Sequence, residues 1–468
     1  MASVKVFQSY LKTPFLILLV VEVSLLFASV YVASYLRFYN EPSEFLNSFE
    51  ELWINAAIIA TITPIAMLAT GLYQGQIREG LAGVMLRVTL SFTASALITS
   101  MIFYVIPHLL LGRGIIAISY ILAFFVIGTI RAIFFETVDT NAFKKRVLVY
   151  GAGLIASNID SKLRRKSDRR GFEIVGYLPL KDQTLVVDKS KFITTDLPLS
   201  KFTQKHNIDE IVVATSDVHG EIPVDELVDC KLRGIVVIDI LSFFEREAGQ
   251  IRIDMLDPAW LVTSDGFHQS QIQSAVKRIF DIIASFVILA IASPFLLLTI
   301  LAILIEDGFK APIFYSQIRT GKQGKPYSVY KFRSMIEDAE KAGEAIWATK
   351  TDSRVTRVGA FIRKTRLDEF PQILNVLNGS MSFVGPRPER PQFVEKLAGE
   401  IPYYDERHLV KPGVTGWAQL LYPYGASVND SYQKHLFDMY YIKNHSLFLD
   451  CLILLQTVEV VLFGKGAR

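Results

Sequence analysis

Residues 276–308 read VKRIFDIIASFVILAIASPFLLLTILAILIEDG. Lys277-Arg278 opens this run and Glu306-Asp307-Gly308 closes it. About 27 apolar-rich residues lie between, more than the ~20 that a helix needs to span a bilayer core. Ser293-Pro294 stands at the midpoint. Proline removes a backbone donor and breaks a helix, and a neighbouring serine hydroxyl can satisfy the carbonyl set free. The architecture turns on whether this run crosses the membrane or folds back within it.

The upstream chain supplies the argument. Four apolar segments precede residue 140: roughly Phe15–Leu36, Leu52–Tyr73, Val84–Ile106 and Ile115–Phe135. Each has spanning length. Lys5 and Lys12 precede the first, Arg78 and Arg87 separate the second and third, and Arg131, Lys144, Lys145 and Arg146 follow the fourth. Basic residues stay cytoplasmic, so the N-terminus and the chain after residue 140 are expected there. A fifth crossing would export everything beyond 306. The expectation is therefore a re-entrant helix–break–helix over 271–308. Glu22, inside the first span, is expected to face the bundle rather than lipid.

Composition agrees with a multi-pass protein carrying soluble parts. Apolar residues make up 51%, and the formal net charge of +3 gives no reason to expect a nucleic-acid partner. The two cysteines, Cys230 and Cys451, lie too far apart in sequence for a zinc spacing and form no disulfide framework.

The expected fold is thus a membrane α-helical bundle (1–140), a Rossmann-like α/β domain (141–270), the re-entrant helix (271–308) and a membrane-associated α/β catalytic domain (309–468). In the second part, Val147–Tyr150 reads as a buried strand followed by the turn Gly151-Ala152-Gly153-Leu154-Ile155-Ala156. Further strands are expected at Ile174–Leu178, Ile211–Ala214 and Ile235–Ile238. The Gly-x-Gly-x-x-Ala turn is a weak dinucleotide signal. Its nearest acidic partner, Asp182, comes late.

Beyond 308 the polar chain carries the chemistry. Pro312–Gln317 and Tyr327–Phe332 read as strands around a Gly321–Lys325 turn. Lys331 and Arg333 alternate with Phe332 and would share a strand face able to hold a diphosphate. Arg354 follows, then Arg363-Lys364-Thr365-Arg366-Leu367-Asp368-Glu369-Phe370-Pro371. Pro371 and Gly379 mark the two ends of a short helix, with Asp368 near its N-cap, where the helix dipole favours an ionised carboxylate. In Gly385-Pro386-Arg387-Pro388 two prolines stiffen the backbone around one arginine. Lys411 sits in a glycine-containing loop suited to a phosphate. Leu447–Phe463 is apolar but carries Asp450, Gln456 and Glu459, and reads as a helix on the membrane or on the catalytic domain. Adjacent carboxylates beside phosphate-binding cations suit phosphoryl transfer.

Asp-Glu-Phe-Pro-Gln (368–372), Lys-Phe-Arg-Ser-Met (331–335), Gly-Pro-Arg-Pro-Glu (385–389) and Pro-Gly-Val-Thr-Gly-Trp-Ala-Gln (412–419) resemble the bacterial polyprenyl-phosphate sugar-1-phosphate transferases. These motifs cover 275–468. The four spans and the α/β domain resemble the family's large, monotopic-type form, and the tail Tyr422–Ser427 through Leu462–Arg468 is similar to its exosortase (PEP-CTERM) exopolysaccharide subgroup. The resemblance implies an enzyme of the bacterial inner membrane with its catalytic domain in the cytoplasm. Its substrates would be a UDP-sugar and undecaprenyl phosphate. Asp368 would be the nucleophile, and Glu369, with Asp368, would hold Mg²⁺. Lys331, Arg363 and Arg387 would contact phosphates, with Arg333, Arg354 and Lys411 as further substrate-binding cations. It suggests a homodimer in contact with membrane lipid. Arg366 departs from the small residue that many relatives carry. Two other readings stand beside this one: a membrane-bound NAD-dependent nucleotide-sugar dehydratase or epimerase, and a non-catalytic polysaccharide-assembly scaffold. The first would need a complete glycine-rich loop with a Tyr/Lys pair.

Overall fold

The structure, a computed structural model, describes residues 9–40, 52–70, 80–106, 112–138, 144–163, 171–180, 183–195, 197–215, 223–256, 270–306, 312–336, 354–422 and 427–462, with a few short pieces between. Arg78, Asp182, Pro423, Tyr424 and the tail from 463 lie outside the described residues. The chain divides into two compact units, essentially Tyr10–Ala248 and Gly249–Arg468. The division falls earlier than the boundary near 270 drawn from composition.

The first unit begins with α1 (Thr13–Arg37), α2 (Leu52–Ala69), α3 (Gly80–Val105) and α4 (Arg113–Val138), all long and apolar enough to cross a membrane. Leu26, Ile59, Met67, Val88 and Ile127 fill the bundle core. Glu22 is fully buried, as expected, and its partner is Arg131: Nε and Nη2 donate to its two oxygens at 2.6 and 2.8 Å. Tyr73 also donates to Glu22, and Arg131 donates to the Leu72 carbonyl. Arg87 is buried too and donates to the Thr70 carbonyl. Arg87 and Arg131, counted above with the loop charges, lie inside the third and fourth expected spans and within α3 and α4, where each is hydrogen-bonded, as a charge buried in an apolar bundle must be.

A four-stranded parallel sheet follows, from β1 (Lys145–Tyr150), β2 (Phe172–Leu178), β3 (Glu210–Val213) and β4 (Val236–Asp239), in the order β2-β1-β3-β4. Helices α5 (Leu154–Lys162), α6 (Leu199–Lys205), α7 (Val224–Leu232) and α8 (Ile240–Ala248) alternate with the strands. Each expected strand is present within two residues. Gly151 takes a positive φ of 115° at the turn after β1. The amide of Ala152 donates to Gln183 Oε1 at 2.9 Å, and a side chain at Gly153 would meet Gln183 Nε2 at 2.6 Å. The openness that glycine supplies here is taken up by the chain's own Gln183.

The second unit is organised on α9 (Gln271–Glu306), one helix of 36 residues. Pro294 lies inside it, and helical bonding continues on both sides rather than stopping. Ser293 Oγ donates to the Ala290 carbonyl at 3.0 Å. That carbonyl is the one Pro294 leaves without its i+4 donor, so the hydroxyl repairs the defect and, in place of the expected helix–break–helix, the helix runs on through Pro294.

Both ends of α9 touch the rest of this unit. Near its start, Lys277 donates to the Val384 carbonyl, the Tyr441 hydroxyl and Asp450. Arg278 donates to the carbonyls of Val376 and Leu377, and Asp281 accepts from Ser382 Oγ and the Phe383 amide. At its end, Glu306 accepts from the amides of Arg357 and Val358, and Ile303 packs with Phe332 and Ile362. Between these anchors an apolar face stays open, with Ile283, Phe286, Ile291 and Leu298 all more than half exposed.

β5 (Phe314–Thr320) and β6 (Pro326–Phe332) form an antiparallel hairpin. Next come α10 (Arg357–Lys364), α11 (Gln372–Asn378), β7 (Ser382–Val384), α12 (Pro391–Glu400), β8 (Gly413–Thr415), α13 (Trp417–Leu421), α14 (Val428–Asn444) and α15 (Leu447–Leu462). β7 and β8 pair in parallel. Val376, Met381, Leu436, Met439, Leu449 and Ile453 share the core with Ile251 and Ile253, so α15 packs on this core.

Candidate active site

Thr356 caps α10, its Oγ1 accepting from the Gly359 amide at 2.9 Å. The helix ends in Arg363-Lys364, and Arg366 then takes a left-handed φ of 61°. That reversal starts a short 3-10 turn, Leu367–Glu369, ahead of α11. Gly379 closes α11 with a φ of 84°, as the Pro/Gly spacing implied. Asp368 therefore does not cap α11; Pro371 holds that position. Leu367 and Phe370, on either side of the carboxylates, pack against Ile303, Phe332 and Ile362. The pair is thereby fastened where α9 ends.

The two carboxylates have opposite surroundings. Glu369 Oε1 receives Lys331 Nζ at 3.0 Å and Arg387 Nη2 at 3.1 Å. Burial alone would raise its pKa, but the charges of Lys331 and Arg387 outweigh burial and hold it well below the usual carboxylate range. Asp368 is 8% exposed, and its buried Oδ1 has no hydrogen-bond partner among the described residues. Burial, then the neighbouring charge of Glu369, raises its pKa against the pull of Lys331, Arg366 and Arg363. The expectation that a helix dipole keeps Asp368 anionic is thus corrected: no cap contact exists, and desolvation dominates.

Among the sequence candidates, Lys331 and Arg387 meet on Glu369, while Arg363 acts on Asp368 through its charge. Arg333 parts from Lys331. β6 ends at Phe332, and Arg333 Nε donates to the Pro312 carbonyl at 2.7 Å. Arg354 pairs through its carbonyl with the Ile336 amide. Lys411 lies at the far end of α11 from the dyad, beside Gly379 and Arg278. Burial and then the Arg278 charge lower its pKa.

Sequence reasoning missed Arg407 and Asp438. Arg407 Nη2 donates to the Arg387 carbonyl at 2.9 Å and to Asp438 at 3.0 Å. Asp405-Glu406-Arg407-His408 looks like a solvated run, and nothing in it marks one member as buried. Asp450, a carboxylate within an apolar segment, did carry a signal, and its partner is Lys277.

Among the described residues, no group of three His, Cys, Asp or Glu could hold a metal ion. Two adjacent carboxylates, one with an orphaned buried oxygen, remain the donor set. Oxygen donors in that number suit Mg²⁺, which retains several waters.

Comparisons with known proteins identify the family. Residues 272–464 match the family model described as bacterial sugar transferase. The chain is 43% identical over 52% of its length to a UDP-N-acetylgalactosamine-undecaprenyl-phosphate N-acetylgalactosaminephosphotransferase of Aeromonas hydrophila, covering 56% of that protein. It is 30% identical over 70% of its length to an undecaprenyl-phosphate glucose phosphotransferase of Komagataeibacter xylinus, covering 61% of it. It is 34% identical over 69% of its length to a UDP-glucose:undecaprenyl-phosphate glucose-1-phosphate transferase of Klebsiella pneumoniae, covering 70% of it. The match thus spans little more than half of the first of these relatives. Taken with the carboxylate pair and its cations, these matches establish that the chain belongs to the bacterial sugar transferase family.

Proposed function

We propose that this protein transfers a sugar-1-phosphate from a UDP-sugar to undecaprenyl phosphate, initiating exopolysaccharide synthesis. The observation that carries the reading is the division within the dyad. Glu369 is clamped by two cations, while Asp368 keeps a desolvated oxygen with no partner among the described residues. A poorly solvated carboxylate with a raised pKa is a stronger nucleophile than an exposed one.

Asp368 attacks the β-phosphorus, and the bond from that phosphorus to the bridging oxygen breaks. UMP leaves, and a phosphosugar–aspartyl intermediate remains. A phosphate oxygen of undecaprenyl phosphate then attacks the same phosphorus and frees the Asp368 carboxylate. Arg387 and Lys331 face the developing phosphate charge, with Arg363 nearby. Asp368 and Glu369 would hold Mg²⁺, which when bound neutralises diphosphate charge.

The same reading gives α9 a re-entrant course on the cytoplasmic side of the bacterial inner membrane. Its support is that Lys277 and Glu306, near opposite ends of α9, both bond to the same compact unit, as they would if that unit lies on one side of the membrane. Lys5, Lys12, Lys144, Lys145 and Arg146 favour the cytoplasmic orientation. We assign the exosortase-associated subgroup from the tail residues, and a homodimer from family analogy.

The test is UMP release by the purified protein from a panel of UDP-sugars with Mg²⁺ and undecaprenyl phosphate. Turnover in wild type, lost in Asp368→Asn, supports the reading. NAD-dependent turnover without lipid would favour the dehydratase, and no turnover across the panel would favour the scaffold.

A further inference from the structure

The segment that delivers Arg387 cannot hold its own shape by strand pairing. Pro386 and Pro388 lack amide protons, so the β7 ladder cannot continue through them. Their neighbours compensate residue by residue. The Gly385 amide donates to the Thr415 carbonyl at 3.0 Å, and the Gly413 amide donates to the Pro386 carbonyl at 2.9 Å. Arg407 takes the Arg387 carbonyl at 2.9 Å, Arg319 the Pro388 carbonyl at 3.2 Å, and the Thr320 amide the Glu389 carbonyl at 2.9 Å. Four consecutive carbonyls are thus held from outside, two of them by arginine side chains.

Arg407 is the buried member of that pair. It is 6% exposed, and Asp438, which shares its Nη2, is 3% exposed. Its Nη1 donates to the Tyr404 hydroxyl, and the guanidinium lies 4.9 Å from the centre of the Tyr404 ring. Two residues, Asp438 and Tyr404, therefore fix its plane before it touches the Pro386–Glu389 strap. A buried donor spent on a backbone carbonyl is costly to leave unmatched. Here it is spent on the one strap residue whose side chain reaches the dyad.

We propose that Arg407 is a positioning residue for Arg387: it grips the Arg387 carbonyl from behind, and so sets where the Arg387 guanidinium meets Glu369 and the substrate phosphate. The proposal rests on the sugar-phosphate transfer read above. Arg407 itself does not touch the reacting atoms.

A double-mutant cycle on UMP release tests it. Arg387→Gln should lower turnover roughly 10²-fold, the size of a lost charge-stabilising donor. Arg407→Lys keeps the charge but loses the planar fork that serves three acceptors, and should cost roughly tenfold. The combination should be no worse than Arg387→Gln alone, because each change removes the same placement. Losses that multiply to roughly 10³-fold, as for independent structural damage, overturn the proposal. So does an Arg407→Lys enzyme as active as wild type. If Arg407→Lys fails to fold, Asp438→Asn, which loosens Arg407 without removing it, runs the same cycle. A wild type that releases no UMP overturns the reaction and this role together, whereas multiplying losses in an active wild type overturn only the role of Arg407.

Discussion

Lys331 Nζ stands 3.0 Å from Oε1 of Glu369, so the nearest cation of the site is committed to the second carboxylate of the pair and not to Asp368. Arg387 reaches the same oxygen. Two cations on one oxygen leave Glu369 an anion at any ordinary pH, and its charge in turn raises the pKa of Asp368. One residue stores the charge, and its neighbour remains open for chemistry.

Asp368→Asn should abolish UMP release, by roughly 10³-fold or more, as loss of a covalent nucleophile does. The same change should stabilise the fold. The folded-state pKa of Asp368 is raised, so its ionised form is disfavoured by folding and costs stability at neutral pH. A neutral Asn removes that cost and should lift the thermal midpoint by about 2 °C. Thermal unfolding of the detergent-solubilised variant checks this. A lowered midpoint would remove burial as the dominant influence on Asp368.

If ionised Asp368 attacks as proposed, the acid limb of kcat/KM should lie above the ordinary aspartate range, because its pKa is raised. Glu369→Gln removes a like charge and releases Lys331 and Arg387 to act on Asp368. Its acid limb should therefore move to lower pH even as activity falls. An unmoved limb in a pH–rate series would mean that Asp368 does not control it.

Glu369 has the opposite linkage. Its folded pKa is depressed, so its stabilising contribution is full above the ordinary value of 4.5 and is lost as pH falls from there toward the folded value. Wild type should therefore lose stability relative to Glu369→Gln between about pH 5 and pH 3. Parallel midpoints across that window would contradict the ion pairs at Glu369.

In α9, Ser293→Ala strands the Ala290 carbonyl and should cost about 1 kcal/mol. Cysteines placed at the exposed Lys325 and at Lys144 should be labelled from the same side of the membrane. Labelling from opposite sides would convert α9 into a crossing and end the re-entrant reading.

In the bundle, Glu22→Gln leaves Arg131 buried without its counter-charge and should cost about 3–5 kcal/mol. The double variant Glu22→Leu/Arg131→Leu should be less damaged than either single change, because no charge is left unpaired. Thermal midpoints of the three proteins decide it, and additive losses would deny the pairing.

The sequence by itself determined whatever depends on local pattern. Apolar run length marked the four helices before residue 140 and α9, β-branched runs bounded by glycines marked the parallel strands, and Pro371 with Gly379 bracketed α11. Adjacent carboxylates near arginines and the Pro-Arg-Pro segment marked the candidate site, although such a pair alone reads more readily as a helix cap. Ser293-Pro294 revealed its own repair, because a proline and the hydroxyl that compensates for it are neighbours in the chain. What only the tertiary structure decided is which charges are buried and whom they meet. Arg87 and Arg131 fall inside expected spans, but only the fold shows that both are buried and what each one meets. Lys331 and Arg333 share a strand alternation, but β6 ends between them and sends one to Glu369 and the other to a backbone carbonyl. The raised pKa of Asp368 and the grip of Arg407 on Arg387 depend on groups brought from distant parts of the chain. Desolvation and hydrogen-bond geometry are properties of the packed molecule, and no spacing in the chain encodes them locally.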